Sequence, residues 1–222
     1  MTDRIPATRR DLADLPLAVA PRLLDAVLET TVAGERVSLR ITEVEAYHGR
    51  GTGSVPDPGS HARMGPTARN ATMWGEPGHL YVYLSHGIHS CVNVVCGPEG
   101  TAGGVLLRGA EVIAGADAAR RRREERGVVR TDRDLARGPG RLGDASGLRY
   151  PHHDGLDAIT GARHAGASAR LLLAAEPPAD YASGPRVGVA GIAGTAAFPW
   201  RFWIADDPTV SPFRWGRGAA TA

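Results

Sequence analysis

Glycine or proline interrupts this chain about once every five residues, with 29 Gly and 16 Pro among 222 positions. Glycine loses the most conformational freedom on ordering and proline removes a backbone donor, so neither belongs in the middle of a long helix or a central strand. Short elements, many turns and long loops are therefore expected. Hydrophobic residues still make up 42% of the chain and are spread along it, which suits a compact core rather than disorder. A chain of this length can bury such a core without staples. It reads as one domain over 1–222, with residues 1–11 and 216–222 as flexible tails.

Leu12 to Thr30 reads as a helix, with Leu17, Ala20, Leu23, Leu24 and Val27 at spacings of three and four. Arg36 to Tyr47 reads as a strand. Plain alternation groups Val37, Leu39 and Ile41 with Glu43, Glu45 and Tyr47 on one face, and puts Thr42, Val44 and Ala46 on the other. His48 to Arg69 is a loop rich in Gly, Pro, Ser and Asp, and structureless connections of that length are usually functional. Strands follow at 79–84, 91–96 and 104–108, and a helix at 116–126 bears the run Arg120 to Arg123. Short strands close the chain at 169–174, 186–190 and 201–204.

All 26 basic residues are arginine. The absence of lysine removes Schiff-base chemistry from side chains, the Gly-Lys pair of phosphate loops and the strand lysine of kinase-like sites. Against 24 acidic residues the net charge is only +2, so any nucleic-acid contact must come from a local basic face. Arginine suits such a face because its planar fork grips phosphate and stacks on bases. The sequence has no signal-peptide core and no apolar run near the ~18 residues of a membrane span. Cys91 and Cys96 offer one possible disulfide and no paired Cys-x-x-Cys framework. A soluble protein of a reduced cytoplasm is expected.

Three groups could carry chemistry. Glu43 and Glu45 project from the same face of a strand, about 7 Å apart by the strand rise; one could be a general base, and the alternative is a solvated face beside Arg40. Tyr47, Tyr81 and Tyr83 are three of only five tyrosines and suggest a stacking platform for bases, ordinary core packing being the alternative. His79, His86, His89 and Cys91 raise a metal site, and Glu43, Glu45, His61, His86 and His89 could serve a metal-dependent hydrolase. No His-Glu-x-x-His helix is present, however, and Gly87 breaks any regular face for His86 and His89, so no metal and no cofactor is expected. The Arg120–Arg123 run is either a solvated helix face or a phosphate contact.

The blocks TEVEAYHG (42–49), SHARMGPTARNATMWGEPGHLYVYLSHGIHSCVNVVCGPEG (60–100), GGVLLRGAE (103–111), ARGPGRL (136–142), GPRVGV (184–189) and PWRFWI (199–204) resemble, in order and spacing, the alkyladenine or 3-methyladenine DNA glycosylases. The resemblance covers roughly residues 12–212. It implies an α+β fold, a single mixed domain with a curved antiparallel sheet flanked by short helices and long loops. It also implies a monofunctional, purine-specific N-glycosylase that flips damaged bases (3-methyladenine, hypoxanthine, ethenoadenine) out of double-stranded DNA and leaves an abasic site in base excision repair. By the same resemblance Glu45 deprotonates the attacking water, and Arg108 and the backbone carbonyl of Val187 surround that water. Tyr47, His61 and Tyr83 sandwich the flipped base, and Asn93 clashes with a guanine 2-amino group. Where the family commonly wedges a tyrosine into the gap, this chain has His86, which is smaller and can be protonated. Ala68 stands where a proline is usual. A monomeric, nucleoid-associated cytoplasmic enzyme without lyase activity is the resulting expectation.

Overall fold

The computed structural model describes residues 4–219, so the outermost parts of the expected tails, 1–3 and 220–222, lie outside the described residues. Within that range the strands are β1 (Arg4–Pro6), β2 (Val27–Val32), β3 (Glu35–His48), β4 (His79–Ser85), β5 (His89–Val95), β6 (Gly103–Ala114), β7 (Ala136–Arg137), β8 (Leu156–Asp157), β9 (Ala167–Ala174), β10 (Tyr181–Gly184) and β11 (Arg201–Ile204). The helices are α1 (Pro16–Arg22), α2 (Ala116–Glu124) and α3 (Pro139–Ser146). The strands form one curved antiparallel sheet in the order β1-β9-β2-β3-β6-β5-β4-β8, with β11 joining β3 to β10 and β7 capping β6. The architecture is the expected α+β single domain.

Long β3 is the spine of the sheet. Its first half pairs with β2 and its second half with β11, while β6 runs along its other side. The β3–β6 register slips where Thr42 is left unpaired on β3 and Arg108 on β6. Such bulges bend a strand and re-aim its side chains. Val37, Leu39 and Ile41 face the core before the slip, and Val44 and Ala46 face it afterwards. The plain alternation read from the sequence is thus overturned: Glu43, Glu45 and Tyr47 lie on the face opposite the core stripe.

Other expectations also change. The 12–30 helix ends at Arg22, because Asp25 takes a left-handed turn at φ 62°, and the β-branched residues of 27–32 pair instead as β2 between β3 and β9. The expected 186–190 strand is an irregular segment, with Gly188 and Gly191 at φ 69° and 62°; the strand lies earlier, as β10. Residues 4–6 are no loose tail, since they pair with β9. At the other end, Gly216 sits so close to Val189 that a Cβ there would be 2.0 Å from the Val189 carbonyl oxygen. Cys91 and Cys96 are free and buried. Among the described residues no helix is long and apolar enough to cross a membrane.

Candidate active site

A cleft of about 870 Å³ opens over the face of β3 that carries Glu45, a size typical of small-ligand pockets. All eight residues to which the family resemblance gives a role line it: Glu45, Tyr47, His61, Tyr83, His86, Asn93, Arg108 and Val187; so do the candidates Tyr81, His89 and Cys91, but not Glu43 or His79. They come from four strands, the long 48–69 loop, the β4–β5 turn and the segment after β10. Sheet curvature and the paired bulges bring them together.

Glu45 is completely buried by protein atoms and closely held. One carboxylate oxygen accepts the Tyr47 hydroxyl at 2.8 Å and Arg108 Nη1 at 3.4 Å, and the other accepts the Val187 N–H at 2.6 Å. The Val187 contact to Glu45 thus runs through its amide nitrogen. Glu43 is equally buried but does not line the cleft. It accepts Arg108 Nε at 3.1 Å, Arg201 Nε at 2.7 Å, the Ser211 amide at 2.8 Å and the Ser211 hydroxyl at 3.0 Å. Held by these four donors, two of them from guanidinium groups, Glu43 serves as an anchor for Arg108 and Arg201. Arg108 bridges the two carboxylates. Burial alone would oppose its charge, but Glu45 and Glu43 outweigh that and hold its guanidinium above the ordinary value.

The solvated-face reading of this carboxylate pair fails, because both side chains are completely buried, and the neighbouring Arg40 pairs with Asp207, Glu111 and Asp25 instead. The metal-hydrolase grouping is not assembled either: Glu45, His61, His86 and His89 line the cleft and Glu43 does not. Among the described residues no three His, Cys, Asp or Glu side chains gather as a metal cluster.

Aromatic groups form the walls. His61 meets Tyr83 edge-on, with ring centroids 4.5 Å apart and an 85° interplanar angle, and Tyr81 stacks on Tyr83 at 5.5 Å. Burial, then the neighbouring Glu45 charge, keeps the Tyr47 phenol well above its usual pKa, so it remains a donor to Glu45. Burial likewise raises Tyr83, and lifts Tyr81 to about 12. His61 is lowered by loss of solvent around its ring and then by the Arg63 and Arg69 cations, which favours the neutral imidazole. Asn70 staples the loop carrying His61, donating to the His61 and Gly65 carbonyls and accepting the Thr67 amide. Asn93, which lines the cleft, donates its amide nitrogen to the Tyr81 carbonyl at 3.0 Å.

The β4–β5 hairpin turns tightly on Ser85 to Ile88, whose ends are joined by a 3.0 Å hydrogen bond. His86 and Gly87 take φ of 50° and 71°, the pair of positive values that a primed two-residue turn requires. His86 and Ile88 are exposed at its tip. Around the mouth stand Arg63, Arg126, Arg137, Arg141 and Arg214, a local basic face despite the small net charge. The Arg120–Arg123 run divides. Arg120 pairs with Asp132 and Glu124, Arg121 with Glu35, and Arg122 donates to the Ala145, Val32 and Glu35 carbonyls. Only Arg123, buried beside Asp144, lines the cleft. The run is thus mostly an anchor between α2 and the sheet, which neither reading of the sequence anticipated.

The sequence profile of the family described as Methylpurine-DNA glycosylase matches residues 10–208. A relative from Leifsonia xyli subsp. xyli is 52% identical over 199 residues, covering 89% of this chain and 88% of that protein. One from Streptomyces avermitilis is 49% identical, covering 96% and 93%, and one from Nocardia farcinica is 48% identical, covering 90% and 87%. Each carries the name "Putative 3-methyladenine DNA glycosylase".

Proposed function

The chain belongs to the methylpurine-DNA glycosylase family, and we propose that it is a monofunctional, purine-specific DNA glycosylase that uses a Glu45-activated water to release alkylated purines from double-stranded DNA. The observation that carries this reading is a fully buried carboxylate, Glu45, held among the tyrosines and histidines of a cleft that arginines also line.

A base stacked in a duplex is out of reach, so it must be extruded at a cost of a few kcal/mol, offset by stacking in the pocket and by filling the gap left behind. Tyr47 forms one wall of the base pocket, and His61 with Tyr83 forms the other. An N-alkylated adenine carries positive charge, which strengthens its attraction to tyrosine faces, and a neutral His61 adds no repulsion. His86, at the tip of the primed turn, enters the gap in the duplex. Asn93 bars a guanine through its 2-amino group.

In the hydrolytic step water attacks C1′ and gives its proton to Glu45. The C1′–N bond breaks with its electron pair passing to the base, so a cationic purine departs neutral. One carboxylate suffices where ordinary glycosidases need two, because the leaving group needs no added proton. Arg108, the Tyr47 hydroxyl and the Val187 amide orient Glu45, and the Val187 carbonyl helps to place the water. With no lysine in the chain, no side-chain amine can form an imine with the opened sugar, and the product is an intact abasic site. Hypoxanthine and ethenoadenine are taken as further substrates; being neutral, they need a proton on the purine ring as the bond breaks, in addition to the water that Glu45 activates. The enzyme acts as a monomer in the cytoplasm, at the nucleoid.

The test incubates the protein with duplexes holding one 3-methyladenine analogue, hypoxanthine or ethenoadenine and looks for free base. Release from at least one lesion, with no borohydride-trapped protein–DNA adduct, is expected. Absence of release from every lesion refutes the activity, and a trapped adduct refutes the water route.

A further inference from the structure

Behind the cleft lies an ion pair that none of the roles above uses. Arg186 is the largest completely buried side chain, and it forks onto Asp57 through Nη1 at 2.8 Å and Nη2 at 2.7 Å. The same guanidinium donates to the Ala46 carbonyl at 3.1 Å and the Ala193 carbonyl at 3.1 Å. Its carbon lies 4.5 Å from the centroid of the Tyr47 ring. Asp57 in turn accepts the His48 and Gly59 amides at 3.1 and 2.9 Å. One guanidinium therefore ties together the end of β3, the 48–69 loop and the segment that carries Val187.

We propose that Arg186, clamped by Asp57, is a positioning residue that sets Tyr47 as a stacking wall and holds the Val187 amide on Glu45. This inference rests on the proposed reaction and deepens it. Tyr47 has two faces. A base stacked on it can use only one; the hydroxyl bond to Glu45 fixes the far end of the ring but not the tilt of its plane about that end. The guanidinium backs the ring by cation–π contact, and the fork onto Asp57 fixes where the cation stands. Val187 follows Arg186 directly in the chain, so the bonds that fix Arg186 also fix the 2.6 Å contact from the Val187 amide to Glu45. Gly59 packs directly against this guanidinium: a Cβ there would lie 2.8 Å from Arg186 Nη2. Lysine at this position keeps the charge but can neither fork onto Asp57 nor present a flat face to Tyr47.

The experiment is single-turnover base release at saturating enzyme from a duplex with one hypoxanthine or one 3-methyladenine analogue, for the parent, Arg186→Lys, Asp57→Asn and Glu45→Gln. The amplitude reports the folded, competent fraction and the rate constant reports the geometry of the site. For Arg186→Lys the expected result is a full amplitude with a rate constant at least tenfold lower, and affinity for abasic duplex, which has no base to stack on Tyr47, within twofold of the parent. Asp57→Asn, which keeps the guanidinium and loosens its clamp, gives the same pattern to a smaller degree and serves if Arg186→Lys does not fold. An unchanged rate constant in both overturns the inference, as does a fall in amplitude with the remaining enzyme reacting at the parent's rate. Base release that survives in Glu45→Gln sinks the proposed reaction instead, and so separates the two failures.

Discussion

Glu43 and Glu45 stand two residues apart on β3, both fully buried, yet the structure gives them different work, and Glu43→Gln separates the two. Glu43 takes four hydrogen bonds from Arg108, Arg201 and Ser211. A glutamine can satisfy those donors on one oxygen only, since its amide nitrogen then faces an N–H where the second carboxylate oxygen stood. Arg201, 6% exposed, then loses its ion pair, and Arg108, 8% exposed, keeps only Glu45. Removing one partner from a buried charge pair costs about 3–5 kcal/mol. At about 2–4 °C per kcal/mol for a chain of this size, the melting temperature should fall by about 6–20 °C. Glu45→Gln should lose less, about 1–2 kcal/mol, because Arg108 keeps Glu43 as its counter-ion. Urea unfolding followed by circular dichroism measures both variants under the same conditions. If Glu43→Gln unfolds within about 1 kcal/mol of the parent, the ordinary effect of a point change, Glu43 does not anchor the guanidinium pair. The assignment of separate roles would then fail.

Three further outcomes are expected. If His86 enters the gap in the duplex as proposed, His86→Tyr fills more of it and affinity for DNA with an abasic site should rise; an unchanged affinity means that His86 does not enter the duplex. Asn93→Ala removes the group that meets a guanine 2-amino, and release of a methylated guanine should rise relative to 3-methyladenine analogues; an unaltered ratio places guanine exclusion elsewhere. Buried His48 and His153 both have their pKa lowered, in each case chiefly by burial, and the ring Nδ1 of His153 accepts the Arg149 amide at 2.9 Å. The unfolded chain then binds protons near the ordinary pH 6.5 that the folded one refuses, so stability is lost as pH falls below about 6.5, at up to about 1.4 kcal/mol per pH unit for each such proton. A melting temperature that holds or rises between pH 7 and pH 5.5 contradicts this.

Much of the cleft was legible in the sequence because its residues sit in short, locally patterned strands. The spacing of Glu43, Glu45 and Tyr47 gives one face directly, and the family blocks carry His61, Tyr83, Asn93 and Arg108. What stayed hidden depends on partners far along the chain. The face on which Glu45 lies is decided by a slip between β3 and β6, visible only once the strands are paired. The Asp57–Arg186 clamp joins residues separated by 129 positions, and the Ser211 hold on Glu43 spans 168. The Val187 amide is a backbone group that residue type cannot reveal. At 23–32 the apolar spacings of three and four read as helix, but the β-branched Val27, Thr30, Thr31 and Val32 suit a strand as well, and tertiary pairing with β3 and β9 decided for β2. The arginine run misled for a related reason: carbonyls and carboxylates brought in from α3, β2 and β3 claim most of its donors.

Single-turnover release of the damaged base by Glu45→Gln, set against its affinity for duplex DNA with an abasic site, bears most directly on the central claim. A general base for water contributes about 10²–10⁴-fold, so the rate should fall by that factor while affinity for the abasic duplex stays close to the parent's. Release at the parent's rate, or a loss of DNA affinity matching the loss of rate, would contradict the role of Glu45 as the group that activates water.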